Sequence, residues 1–203
     1  MKILVTGFDP FGGESINPAY EAVKLLADEI DGAEIIKAEL PTVFGKCAEV
    51  LERTIKAHQP DVVLCVGQAG GRAGISMERV AINLADASMT DNEQQQPSDE
   101  PIIEGGPAAY FSNLPINTIV QHIKHNGIPS SISYTAGTFV CNDVMYRLLH
   151  MIEQKYHAMR GGFIHVPFDT AQAAVKANGT PSMPIPTIAE GLRYAIEAII
   201  ESN

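Results

Sequence analysis

The run Val62-Val63-Leu64-Cys65-Val66 has no polar position. A strand with one wet face alternates apolar and polar residues, so an unbroken run belongs at the centre of a sheet covered on both sides. The strand is read from Asp61 to Val66, and Ile3 to Thr6 has the same character. Helical spacing separates such runs. Pro18 to Ala27 follows Asn17, a good N-cap with proline at the first helical position. Ala33 to Leu40 reads as a strand closed by Pro41, and Gly45 to His58 as a helix with Val50, Leu51 and Ile55 on one stripe. Strands alternating with helices predict an α/β fold with a mostly parallel, twisted central sheet.

The second half continues the pattern after a gap. Arg79 to Ala85 alternates enough to be a fourth strand, with Glu78 at its start. From Ala87 to Asn113 periodicity stops, and a segment that long is a functional loop, an interface element, a mobile stretch or a plain polar excursion. Further expectations are a helix over Ile116 to His125, a strand over Ser131 to Tyr134, a helix over Asn142 to Tyr156 and a strand over Phe163 to Val166. Thr187 and Glu190 have the spacing of a capping box for a last helix through Leu192, Ile196 and Ile199. With no internal repeat and no linker, residues 1–203 read as a single domain.

Charge narrows the partners. With 24 Asp and Glu against 14 Lys and Arg, the formal net charge is −10. Such a surface repels phosphate backbones and anionic lipid heads, which argues against nucleic acid and membrane. No apolar run approaches the roughly 20 residues of a membrane span. Met1 to Gly7 breaks too early for a signal peptide, so the chain reads as cytoplasmic. The three cysteines read as free thiols.

Metal chemistry finds no motif: there is no H-E-x-x-H and no C-x-x-C, and His122 with His125 is an i,i+3 pair on a surface helix. Gly67 to Gly74 resembles a phosphate cradle but lacks the Lys-Ser/Thr ending. Its glycines mean that a ligand or another loop comes close to the backbone. Cys65 reads as core filler, and Cys47 as a structural residue on a helix with no visible partner. Cys141 follows a turn, Thr135 to Val140, and falls at a helix N-terminus, where the dipole favours a thiolate nucleophile. Such a nucleophile needs a base and a group to orient it. His165 lies near the C-terminal end of a strand, where open α/β sheets bind ligands. Glu78, just after the glycine-rich loop, either orients that histidine or forms an ion pair with Arg79 or Arg72.

Thr6 to Gly13, Gly67 to Arg72, Glu78 to Asn83, Thr135 to Asn142 and Gly162 to Pro167 together resemble the pyroglutamyl peptidase I family of cysteine peptidases. The similarity runs from residue 1 to about residue 170. The resemblance implies an α/β/α sandwich, no cofactor, a homotetramer and removal of N-terminal pyroglutamyl residues from peptides. It maps a Cys–His–Glu triad onto Cys141, His165 and Glu78. It also implies apolar walls from Phe8, Phe11 and Phe139, with Asn17, Gln68 and Val140 around the lactam ring. Two positions depart from the family pattern: Ser88 stands where an arginine near the site is usual, and Asp143 follows the nucleophile by two residues. An acid there is expected to oppose a nearby thiolate. A lactam-binding homologue with little turnover is the alternative reading.

Overall fold

A computed structural model of the protein describes residues 1–202. In chain order the elements are β1 (Lys2–Phe8), α1 (Pro18–Lys24), β2 (Glu29–Ile30), β3 (Ala33–Leu40), α2 (Lys46–His58), β4 (Val62–Gln68), β5 (Ile75–Glu78) and β6 (Val80–Ile82). They continue as β7 (Ala109–Phe111), α3 (Ile116–His125), β8 (Ser130–Ser133), α4 (Val140–Gln154), β9 (Arg160–Val166), α5 (Thr170–Ala174) and α6 (Ile185–Glu201). A seven-stranded sheet has the order β2-β3-β1-β4-β9-β5-β8. The β1–β3, β1–β4, β4–β9 and β5–β8 pairs are parallel, whereas β2–β3 and β5–β9 are antiparallel.

The pleat sorts each strand between two cores. Ile3, Val5, Leu64, Val66, Ile75, Met77, Ile164 and Val166 point into one core, with α1, α3 and α6. Leu4, Phe8, Val63, Cys65 and Phe163 point into the other, with α2 and α4. This is the expected α/β/α arrangement, and it explains why Val62 to Val66 carries no polar residue. The chain leaves β1 for β3 on one side and returns to β4 on the other. Loops after β1 and β4 therefore diverge, opening a crevice at the carboxyl ends of the strands.

Several boundaries differ from the sequence reading. The expected fourth strand is two: β5 ends at Glu78 in the main sheet, and β6 pairs with β7 in a separate ribbon. Glu78 therefore closes a strand. The last helix begins at Ile185 after Pro184, with no side-chain cap, so Thr187 lies inside it. Pro186, in the first turn, has the fixed φ a helix start needs and brings that start forward. A capping box does exist, between Asp169 and Gln172 on the short α5, which the periodicity did not reveal. The stretch from Ala87 to Asn113 contains β7 and is tied down along its length. Ala85 bridges Glu100, and the Asp91 carboxylate accepts from the N–H groups of Phe44, Glu93 and Gln95. Asn92 Nδ2 donates to Asp9 Oδ1 and the Pro10 carbonyl. The long segment is a clasp on the loops after β1 and β3.

Candidate active site

Register brings the central groups together. Cys65 pairs with Phe163 and Gly67 with His165 across β4–β9, while Ser76 pairs with His165 and Glu78 with Phe163 across β5–β9. Paired residues share a face of the sheet, so Gly67, His165 and Glu78 face the same side. On that side His165 Nδ1 lies 2.7 Å from Glu78 Oε1. Glu78 is fully buried and His165 is 3% exposed. The same Oε1 accepts from Arg72 Nη1 at 2.7 Å, so the ion pair with Arg72 coexists with the histidine contact.

Cys141 arrives from α4. Its helix opens after Phe139, whose side chain offers no capping oxygen. The sulfur fills the notch left by Gly67, where an added β-carbon would stand 2.8 Å from it. Gly70 is glycine for a related reason: a β-carbon there would meet the Phe168 ring at 2.3 Å. Other parts of this chain, a thiol and an aromatic ring, are thus what approach the glycine-rich loop. Among the described residues no three His, Cys, Asp or Glu side chains gather as a metal site requires.

The expected wall residues divide into two groups. Phe11 and Phe139 are partly exposed, with ring centroids 6.2 Å apart. Phe44, which the sequence reading missed, stands edge-on to Phe139 at 5.3 Å. Phe8 is 2% exposed and packs on Phe163 at 6.4 Å, inside the core. Val140 is fully buried. The Asn17 side chain caps α1 through Ala19 N–H and donates to the Asp9 carbonyl, so it holds the loop after β1. Gln68 is partly exposed, and its side-chain oxygen accepts from Gln172 on α5.

The sequence model for pyroglutamyl peptidase matches residues 1–202. The chain belongs to the pyroglutamyl peptidase family. Pyrrolidone-carboxylate peptidase of Enterococcus faecalis is 57% identical over 203 residues, all of this chain and 95% of that one. The enzyme of the same name from Thermosipho melanesiensis is 54% identical over the whole of both chains. The crystal structure of pyroglutamyl peptidase I from Bacillus amyloliquefaciens superimposes with a TM-score of 0.94 at 50% identity, covering 98% of this chain and 94% of that one. A mutant pyrrolidone carboxyl peptidase from the hyperthermophile Pyrococcus furiosus gives a TM-score of 0.95 at 45% identity, covering 100% and 99%.

Electrostatics in this family member differ from the simple helix-dipole expectation. Burial and the Glu78 charge push the Cys141 thiol up to about 12, against the easing effect of Arg72. Burial also holds His165 below its ordinary value, despite the Glu78 hydrogen bond. Glu78 has burial against its charge, yet the hydrogen bond and charge of His165, with Ser133 and Arg72, keep its carboxyl below the usual value. Burial thus works against the thiolate at Cys141 and against the imidazolium at His165.

Asp143 does not face this thiol. Its carboxylate is buried among Gly45 N–H at 3.0 Å, Cys47 Sγ at 3.4 Å and Arg147 Nε at 2.8 Å. Cys47 therefore has a partner. Ser88 is exposed on the clasp, next to Met89, whose Cε lies 3.2 Å from where a β-carbon on Gly12 would sit.

Proposed function

We propose that the chain is a cysteine omega-peptidase, acting as one domain, that removes the pyroglutamyl residue from the N-terminus of peptides. The observation that carries this reading is the 2.7 Å contact between His165 Nδ1 and Glu78 Oε1, made on the sheet face where the Cys141 sulfur fills the notch at Gly67, the residue paired with His165. With Nδ1–H donating to the carboxylate, Nε2 keeps its lone pair and can act as base. A thiol that is neutral at rest loses its proton as it attacks. Cys141 Sγ bonds to the pyroglutamyl carbonyl carbon while its proton passes to His165 Nε2. The developing oxyanion is held by the Cys141 N–H at the start of α4, where Phe139 offers no side-chain cap while its carbonyl takes the N–H groups of Asn142 and Asp143. His165 then gives the proton to the departing amine as the C–N bond breaks. A thioester remains, and water hydrolyses it with His165 as base.

Recognition follows from the substrate's shape. A lactam lacks the α-ammonium that carboxylates hold in other aminopeptidases. It presents a flat apolar ring with one N–H and one C=O, which suits Phe11 and Phe139 as walls, lined from behind by Phe8 and Val140. The main chain at Gln68 supplies the polar pair, and Asn17 sets the loop that carries Phe11. We extend the family's homotetramer and a cytoplasmic location to this chain, with no cofactor. A lactam-binding homologue without turnover fits less well, since binding alone needs no buried carboxylate–imidazole contact.

Release of a chromophore from a pyroglutamyl amide, with the alanyl amide as control, tests the reading. Wild-type protein is expected to cleave the first alone. Cys141→Ala and His165→Ala should each remove nearly all turnover, and Glu78→Gln about 10²–10⁴-fold. Light scattering on a sizing column reports the tetramer. Turnover that survives Cys141→Ala overturns the assignment.

A further inference from the structure

Arg72 is the residue whose position the mechanism above does not yet explain. It stands at the end of the glycine-rich loop, and its side chain is 27% exposed. One arm, Nη1, donates to Glu78 Oε1, and the other, Nη2, donates to the Thr135 carbonyl at 3.2 Å. Thr135 begins the turn that leads into α4 and Cys141. The guanidinium thus joins the buried carboxylate to the segment that carries the thiol.

The groups facing Glu78 come from every element packed on it. They are His165 from β9, Ser133 in register on β8, Cys141 from α4 and Arg72 from the loop after β4. Arg79, the next residue along, turns to the opposite side, with Nη2 near Asn117 Oδ1 and its guanidinium carbon 5.7 Å from the Tyr134 ring centroid. Arg72 is therefore the permanent cation on Glu78 among these groups. Glu78 is fully buried, and its Oε2 has no hydrogen-bond partner among the described residues. A carboxylate so placed keeps its charge through the few groups around it, His165 and Arg72 on Oε1 with Ser133 nearby.

The charge matters because it selects the imidazole tautomer. An anionic Glu78 accepts from Nδ1–H and leaves Nε2 free to take the thiol proton. A protonated Glu78 would donate its O–H to Nδ1, so the ring proton would move to Nε2. The distances would hardly change, yet the base would be lost. We propose that Arg72 is a positioning residue that keeps Glu78 anionic and so holds His165 as the Nδ1–H tautomer. The proposal rests on the Cys141–His165–Glu78 reading for its catalytic meaning, while the tautomer itself can be observed without turnover.

The test combines nitrogen-15 NMR of the His165 ring with pH–rate profiles for wild type, Arg72→Met, Arg72→Gln and Arg72→Lys. Wild type is expected to show the Nδ1–H tautomer at neutral pH. In Arg72→Met the Nε2–H tautomer should grow as pH falls, and the acidic limb of kcat/KM should move up by about one pH unit. That corresponds to about a tenfold loss on the acid side, carried by kcat rather than KM. Arg72→Lys, which restores a charge without the two-armed fork, should recover at least half of the displacement. If Arg72→Met does not fold, Arg72→Gln gives the same readouts. An unchanged tautomer with an equal loss at every pH overturns the proposal and leaves Arg72 a structural tie. If wild type fails to cleave the pyroglutamyl amide, the proposed function falls, and the tautomer of Arg72→Met still decides this one.

Discussion

Gly67 and Cys141 occupy one volume: a β-carbon on the glycine would stand 2.8 Å from the cysteine sulfur and 2.7 Å from the Phe163 ring. Real side chains do not approach that closely, so the thiol is seated by an absent methyl group. Gly67→Ala is expected to displace Cys141 away from β4, because the paired strand β9 leaves the new carbon nowhere else to go. Overpacking of this kind costs about 1–3 kcal/mol, and a displaced nucleophile costs about 100-fold in turnover. Thermal melting and kcat on the pyroglutamyl amide measure the two losses. A folded variant with full turnover means that the sulfur does not work from this notch.

The three thiols should separate by access rather than by acidity. Cys47 and Cys65 are fully buried, whereas Cys141 is partly exposed. Iodoacetamide is therefore expected to label Cys141 alone, as peptide mass mapping would show, with activity lost in step. Since burial pushes this thiol up to about 12, labelling should quicken about tenfold per pH unit from 8 to 10 instead of levelling near 9. Burial places Cys65 at about 12 as well and raises Cys47. A pKa raised by folding stabilises the protonated form, so stability present below pH 9 is lost as pH climbs toward 12. The slope is about 1.4 kcal/mol per pH unit for each such thiol. Melting temperatures from pH 8 to 10.5 check the direction.

Asp143 belongs to the frame of the aromatic wall. Its carboxylate accepts from Gly45 N–H, next to Phe44, while Arg147 links it onward to the Ile102 carbonyl. Asp143→Ala leaves a donor at Gly45 and a guanidinium without their acceptor. About 2–3 kcal/mol of stability should be lost, since Arg147 keeps partial access to water. With Gly45 released from Asp143 and Phe44 held through its N–H to Asp91, the Phe44 edge contact on Phe139 loosens, so KM is expected to rise. The rate of Cys141 alkylation should stay as in wild type. A marked acceleration would return Asp143 to the role of opposing the thiolate.

Ser88 offers a gain-of-function test. Ala87 on one side is tied to Pro97 and Gln96, and Met89 on the other lies against Gly12, so position 88 sits above the loop that carries Phe11. The resemblance puts an arginine at this position near the site, and one donor to negative charge developing on the carbonyl oxygen is worth about 10²–10³ in turnover. Ser88→Arg is therefore expected to raise kcat with little change in KM. Steady-state kinetics decide it, and an unchanged or lower kcat removes the argument that serine limits the rate.

The sequence alone determined the features that depend on neighbours in the chain. Unbroken apolar runs marked β1 and β4 as central strands, helical spacing marked α3 to the residue, and Asn17 before Pro18 marked the start of α1. Cys141 was legible at a helix start because turn chemistry and helical periodicity are local. Tertiary structure decided everything that depends on partners far apart in the chain. Glu78 meets His165 across 87 residues, and Asp143 meets Gly45 across 98. Neither choice is written in a residue's immediate neighbours. Apolar alternation continues past Glu78, so only the antiparallel pairing with β9 ends β5 there and turns the carboxylate inward. Hydrophobic pattern specifies which face of an element is buried; which polar groups meet inside is fixed by register between strands and by the cost of leaving any buried charge unpaired.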